Sequence, residues 1–172
     1  MIAYEPFAAY ERGVILELLS ESYSQLLQEL PAGKVAELLG DWREYDEAVF
    51  GEPGTVGTCG FVTSLSGEVI GFASWNPTKW PAVGIIGHNC ILPKYRCRGY
   101  GRQQIREILR RFSDAGFKRA VVQTDEHPFF EPARRMYLKC GFEEVTRHPG
   151  VLLEDYAMIE YERRLGVGAL DR

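Results

Sequence analysis

No apolar run in the sequence approaches the roughly 20 residues of a membrane span, and the opening stretch MIAYEPFAAYERG lacks a basic segment followed by an apolar one. Neither a membrane partner nor a secretory leader is expected, and the cytoplasm is the expected compartment. Positive charge is also scarce: 20 Lys and Arg stand against 24 Asp and Glu, a formal net charge of −4. A broad nucleic-acid surface takes its affinity from many cations on phosphates, so nucleic acid is not an expected partner. The four cysteines, Cys59, Cys90, Cys97 and Cys140, form no CxxC pair, which argues against a zinc ribbon and a disulfide scaffold. They read as reduced, mostly buried thiols. His88, Cys90 and Cys97 are close in sequence, but no second ligand pair follows at the spacing of a zinc site, so no metal is expected.

The chain has no internal repeat, low-complexity block or Pro/Gly/Ser linker either, and its 172 residues suit one domain over 1–172. Such a chain buries roughly two thirds of its unfolded surface, enough for an independent core. Its composition, 45% apolar, 12% aromatic and 26% charged, is ordinary for a globular protein.

The N-terminal third has helical periodicity. In ERGVILELLSESYSQLLQEL the residues Val14, Leu18, Leu19, Leu26 and Leu30 mark one apolar stripe, which predicts a helix. A second helix is predicted after PAG, carrying Val35, Leu38, Leu39 and Trp42. From Thr58 the period changes. TCGFVTSL and VIGFASW read as two strands joined by a short Ser-Gly turn, and VGIIGHNCILP reads as a third, ended by Pro93. Ile105, Ile108, Leu109 and Phe112 then recur at helical spacing, stopped near Gly116. KRAVVQTD predicts a strand, FEPARRMYLKCGF a helix stopped at Gly141, and FEEVTRH and DYAMIEY two closing strands. With an opening strand at Ile2 to Glu5, the fold class is α/β of the mixed α+β kind, a sheet with helices on its faces.

The stretch PKYRCRGYGRQQIREILRRF joins two closely spaced glycines, Gly99 and Gly101, to the start of a predicted helix, with Arg96, Arg98 and Arg102 around them. Main-chain N–H groups at a helix start are unsatisfied donors, and the helix dipole adds about half a positive charge there, so phosphates bind well. Glycine lets a ligand approach the backbone. The other reading of the same residues is a plain loop before a basic, solvated helix face. A Walker loop would need GxxxxGK followed by Ser or Thr, which is absent. A dinucleotide fingerprint would need a third glycine where Gln104 stands.

The whole string, a strand, Pro93, Tyr95, then Arg96-x-x-Gly99-x-Gly101 and an amphipathic helix, resembles the acetyl-CoA-binding motif of the GNAT N-acetyltransferase superfamily. A second signature of that family, A-x-x-x-Y-x-x-x-G-F, is matched by Ala133, Tyr137, Gly141 and Phe142. The order of elements matches over nearly the whole chain. The resemblance implies a central mixed, mostly antiparallel sheet of about seven strands flanked by about four helices. It implies acetyl-CoA as cosubstrate, with main-chain contacts at Ile91 and Leu92 and the pyrophosphate wrapped by Arg96, Cys97, Arg98, Gly99, Tyr100, Gly101 and Arg102. The pantetheine would pair with strand backbone as an added strand does, and a main-chain N–H near Ile91 would meet the thioester oxygen as it gains charge. One departure stands out: Phe130 occupies a position where relatives often carry an asparagine that contacts the cofactor. The phenylalanine then packs on the pantetheine arm or on the core.

Acetyl transfer to an amine needs a base for the amine and an acid for the departing thiolate. Tyr137 fills the family position of that acid, and a phenol with a pKa of about 10 suits it; a core aromatic on an amphipathic helix is its other reading. His88, just before the cofactor segment, and His127, after the fifth strand, are candidate bases. Either also reads as a structural histidine, and a water chain to a carboxylate such as Glu126 is a further route. The acceptor is expected to be a primary amine of a small molecule or peptide. Glu21, Glu29, Glu37, Asp41, Glu44, Asp46 and Glu47 on the early helices would attract a cationic one, or form a merely solvated face. Trp75, Trp80 and Tyr23, with WNPTKWP as a loop, are candidates for lining its pocket. A non-catalytic acyl-CoA-binding module with the same fold is the alternative, and a homodimer is compatible with both.

Overall fold

A computed structural model of the protein describes residues 1–166; residues 167–172, the end of the expected single domain, lie outside the described residues. Seven strands form one sheet: β1 (Ile2–Glu5), β2 (Gly60–Leu65), β3 (Glu68–Lys79), β4 (Val83–Ile91), β5 (Arg119–Asp125), β6 (Glu143–His148) and β7 (Met158–Arg164). Their order is β1-β2-β3-β4-β5-β7-β6. The pairs β1/β2, β2/β3, β5/β7 and β6/β7 are antiparallel. β4 and β5 are parallel, with Gly84, Ile85 and Ile86 opposite Ala120, Val121 and Val122.

Among the described residues there are five α-helices where about four were expected: α1 (Val14–Ser22), α2 (Ser24–Glu29), α3 (Ala32–Gly51), α4 (Tyr100–Asp114) and α5 (Glu131–Lys139). The extra one arises because the first periodic stretch breaks at Tyr23, with φ −105° and ψ 11°. The Ser22 carbonyl accepts from the Arg96 guanidinium, so an external donor serves it where the helix stops. The expected stripe still turns inward across the break, with Leu18, Leu19, Leu26 and Leu30 buried.

The chain divides into two compact units, Met1–Ser74 with His88–Tyr100, and Trp75–Gly87 with Gly101 onward. In the first, Phe7, Ile15, Leu19, Trp42, Val62, Ile70 and Phe72 form a buried hydrophobic core. The hairpin between β2 and β3 turns on Ser66 (φ 52°) and Gly67 (φ 87°), the left-handed pair that a tight two-residue hairpin demands. Asp46 is buried and caps α1 from a distant helix: its carboxylate accepts from the N–H groups of Gly13 at 2.8 Å, Ile15 at 3.0 Å and Leu16 at 3.3 Å. It therefore leaves the expected acidic surface and satisfies donors that a helix start exposes.

In the second unit, Ile105, Ile108, Leu109 and Phe112 of α4 are all buried. A Cβ at Gly84 would lie 2.5 Å from the Phe112 ring, so glycine in β4 makes room for that aromatic. WNPTKWP is not a loop, since β3 runs through it to Lys79. Trp75 meets Phe112 edge-on at 6.1 Å, and Trp80 donates its Nε1–H to the Ala115 carbonyl at 3.0 Å. Trp75 thus packs against α4, whereas Trp80 is 63% exposed. Tyr23 packs against Trp42 at 5.4 Å in the first unit. Among the described residues, no helix is long and apolar enough to cross a membrane.

Candidate active site

The loop from Arg96 to Gly99 follows a single turn at Pro93–Tyr95 and runs straight into α4. Two of its residues are left-handed, Cys97 at φ 61° and Gly99 at φ 83°. Such reversals turn successive N–H groups toward one side, the geometry of an anion-binding nest. No acid occupies the first turn of α4, so nothing offsets the positive end of its dipole. Cys97, Arg98 and Arg102 are exposed, whereas Tyr100 and Gly101 are half-buried.

Arg96 behaves differently from the other two arginines. Its Nε donates to the Ile91 carbonyl at 3.0 Å, and its Nη2 donates to the Ser22 carbonyl. The guanidinium ties the end of β4 to the end of α1, on a residue that is also exposed. The Leu92 N–H donates to the Ile70 carbonyl of β3 at 2.8 Å. Since successive N–H groups alternate sides along a strand, Ile91 directs its N–H to the edge away from β3. Both residues are buried.

His88 lies three residues upstream, exposed at the surface, with its ring 5.1 Å from that of Tyr45. The protein atoms packed around the ring lower its pKa below the ordinary histidine value, while the charge of Asp41 works in the other direction. Its carbonyl accepts from the Ser74 hydroxyl at 2.8 Å. Tyr45 and Ser74 escaped the sequence reading, since each is remote from His88 in the chain and carries no local motif. Cys90 is buried and its thiol is pushed up to about 11 by desolvation. It is an inert core group.

In the second unit, Tyr137 is buried on α5, with its ring 5.8 Å from Phe142 and 6.3 Å from Tyr161. His127 is buried too, edge-on to Tyr156 at 4.8 Å. Its Nδ1 accepts from the Phe129 N–H at 3.1 Å, so the neutral ring carries its proton on Nε2. Its own N–H donates to Asp125 Oδ1 at 2.7 Å. Arg134 completes the turn by donating from Nη1 to the carbonyls of Asp125 at 2.8 Å and His127 at 3.1 Å. Asp125-Glu-His-Pro is a sequence signature for such a side-chain-closed turn, and it was the signal available for this feature. Phe130 is half-buried at the head of α5, edge-on to Phe129 at 5.1 Å. Glu126 is engaged by Arg147 at 2.5 Å. Arg110 and Arg111 pair with Glu107, each at 2.8 Å. Among the described residues, no group of three His, Cys, Asp or Glu is placed to hold a metal ion.

Residues 15–142 match the profile of the acetyltransferase (GNAT) family. The chain belongs to that family. It is accordingly an acetyl-CoA-dependent acetyltransferase. No curated protein matches the chain. Among solved structures, a GNAT-family protein from Desulfovibrio desulfuricans shares 12% identity at a TM-score of 0.75, covering 96% of this chain and 99% of that one. YncA of Salmonella typhimurium, solved with its cofactor acetyl-CoA, shares 14% at 0.66, covering 99% and 96%. The ribosomal-protein-S18-alanine N-acetyltransferase of Escherichia coli shares 15% at 0.57, covering 74% and 82%. At these identities the likeness is one of fold.

Proposed function

We propose that this GNAT acetyltransferase moves the acetyl group of acetyl-CoA to a primary amine of a small molecule or peptide, by direct attack with both substrates bound. The observation that carries the reading is the backbone of the loop before α4, where Cys97 and Gly99 take left-handed angles ahead of an acid-free helix start. That arrangement suits a pyrophosphate, held by the main-chain N–H groups of residues 96–101 and by the side chains of Arg98 and Arg102. Arg96 supports the loop from behind through its two carbonyl bonds. Ile91, with its N–H turned from β3, supplies the donor for the thioester oxygen as charge develops there.

An alkyl amine with a lysine-like pKa is neutral in only about one molecule in 2,500 at pH 7, so its proton must be taken up. His88 is the residue we assign to that task, because it is solvent-exposed and its lowered pKa keeps the ring neutral at pH 7. His127 is less suited: its Nδ1 is already an acceptor and its Nε2 carries the proton. His88 receives the proton of the ammonium, the freed amine nitrogen bonds to the acetyl carbon, and the carbon–sulfur bond breaks. Tyr137 gives its hydroxyl proton to the sulfur and regains the second proton that the nitrogen loses on becoming an amide. Acetyl-CoA supplies the activated acyl group, and the protein supplies orientation and the proton transfers.

Two measurements test this reading. Acetyl-CoA at about a hundred times its Kd is expected to stabilise the protein by about 2.7 kcal/mol, a rise of roughly 5–10 °C in Tm. An unchanged Tm contradicts the cofactor assignment. Thiol release is then read against alkylamines, aminoglycosides and tripeptides with free N-termini. Amine-dependent release is expected for a transferase, and its absence across the panel points to the non-catalytic module. Tyr137→Phe should lower kcat by about a hundredfold with acetyl-CoA affinity preserved, and unchanged turnover removes Tyr137 from the chemistry.

A further inference from the structure

We propose that Tyr45 and Ser74 are positioning residues that hold His88 in place as the proton acceptor of the transfer. The inference rests on His88 being the base. Ser74 is buried in β3 and its hydroxyl donates to the His88 carbonyl at 2.8 Å, which fixes the main chain of β4 at that residue. The ring of Tyr45, from α3, lies 5.1 Å from the imidazole at an angle of 52°. One side chain thus stands against the ring of His88 while another braces its backbone.

The groups facing this ring come from two elements. Asp41 and Tyr45 belong to α3 and Ser74 to β3, with Cys59 beside Tyr45. Asp41 favours the imidazolium, while desolvation by the protein atoms around the ring opposes it. Burial, helped by Cys59 and opposed by the nearby Ser74 hydroxyl, pushes the Tyr45 phenol up to about 12. Tyr45 consequently remains a donor at neutral pH and does not compete as a base. Holding a base at ring and backbone limits the geometries it samples, which favours the one that reaches the amine.

The test uses the full chain and two independent readouts. NMR titration of the imidazole C–H signals, assigned with His88→Gln, follows the ring without any substrate. The pH profile of kcat/KM, taken with acetyl-CoA and the most active amine of the panel above, follows the base in turnover. Tyr45→Ala should move the His88 titration and the acid limb of the profile to higher pH, lower kcat about tenfold and spare the KM for acetyl-CoA. Asp41→Asn should move both to lower pH. Tyr45→Phe, which keeps the ring, should keep the wild-type titration. Ser74→Ala should lower kcat and leave the titration where it was. A His88 titration unmoved by Tyr45→Ala overturns the brace; should that variant fail to fold, unchanged kcat in Ser74→Ala overturns it instead. His88→Gln with wild-type kcat/KM overturns the base assignment itself, whatever the titrations show.

Discussion

The guanidinium of Arg96 donates to the main-chain carbonyl of Ser22, 74 positions earlier and at the last residue of α1. Its second bond goes to the Ile91 carbonyl at the end of β4. The arginine thus ties two elements together, and Arg96, Arg98 and Arg102 are all exposed. The three should separate under mutation. Arg96→Ala should lose about 1.5–3 kcal/mol of stability in urea unfolding, the scale of hydrogen bonds from a charged group. Arg98→Ala and Arg102→Ala should leave stability unchanged and weaken acetyl-CoA binding about tenfold each, about 1.4 kcal/mol. The reverse pattern in calorimetric titration and unfolding would refute the division.

Cys97 holds a left-handed backbone that costs an ordinary residue about 1–2 kcal/mol, in the loop that leads to α4. Glycine removes that strain and gives part of the gain back as unfolded-state entropy. Cys97→Gly should therefore raise stability by about 0.5–1 kcal/mol. The thiol is also a reporter, because it is exposed while Cys90 and Cys140 are buried with pKa values raised by desolvation. A thiol reagent should label Cys97 ahead of both, and acetyl-CoA should slow that labelling. Equal rates with and without acetyl-CoA would place the cofactor elsewhere.

Local patterns made much of this fold legible. Period-two runs, the Ser66-Gly67 turn and the spacing of Ile105, Ile108, Leu109 and Phe112 reported their own strands and helix because each signal lies within one element. The loop before α4 was legible for the same reason, as Gly99 and Gly101 stand next to the helix they precede. What stayed hidden depends on partners far along the chain. The break at Tyr23 accompanies the Arg96 bond, and the difference between Asp46 and the acids around it is a buried position beneath α1. The contacts of Trp75 with Phe112 and of Trp80 with the Ala115 carbonyl likewise join residues 35 or more positions apart. Tyr45 and Ser74 converge on His88 from elements that no single window of sequence joins.

Asp125 offers a test of the turn that carries His127. The residue is buried, one carboxylate oxygen accepts the His127 N–H, and Oδ2 has no hydrogen-bond partner. Burial pushes its pKa above the ordinary carboxylate value, against the His127 N–H and the charges of His127 and Arg134. The folded state therefore holds this proton more tightly than the unfolded chain does, whose carboxyl titrates near about 3.9. The stability it contributes is complete below that pH and is lost as pH rises through the folded pKa. Asp125→Asn cannot titrate, so any constant effect of the amide cancels when the two proteins are compared across pH. The unfolding free energy of the wild type minus that of Asp125→Asn should fall as pH rises through this window. A difference that grows with pH instead would mean that the pull of Arg134 outweighs burial at this carboxylate.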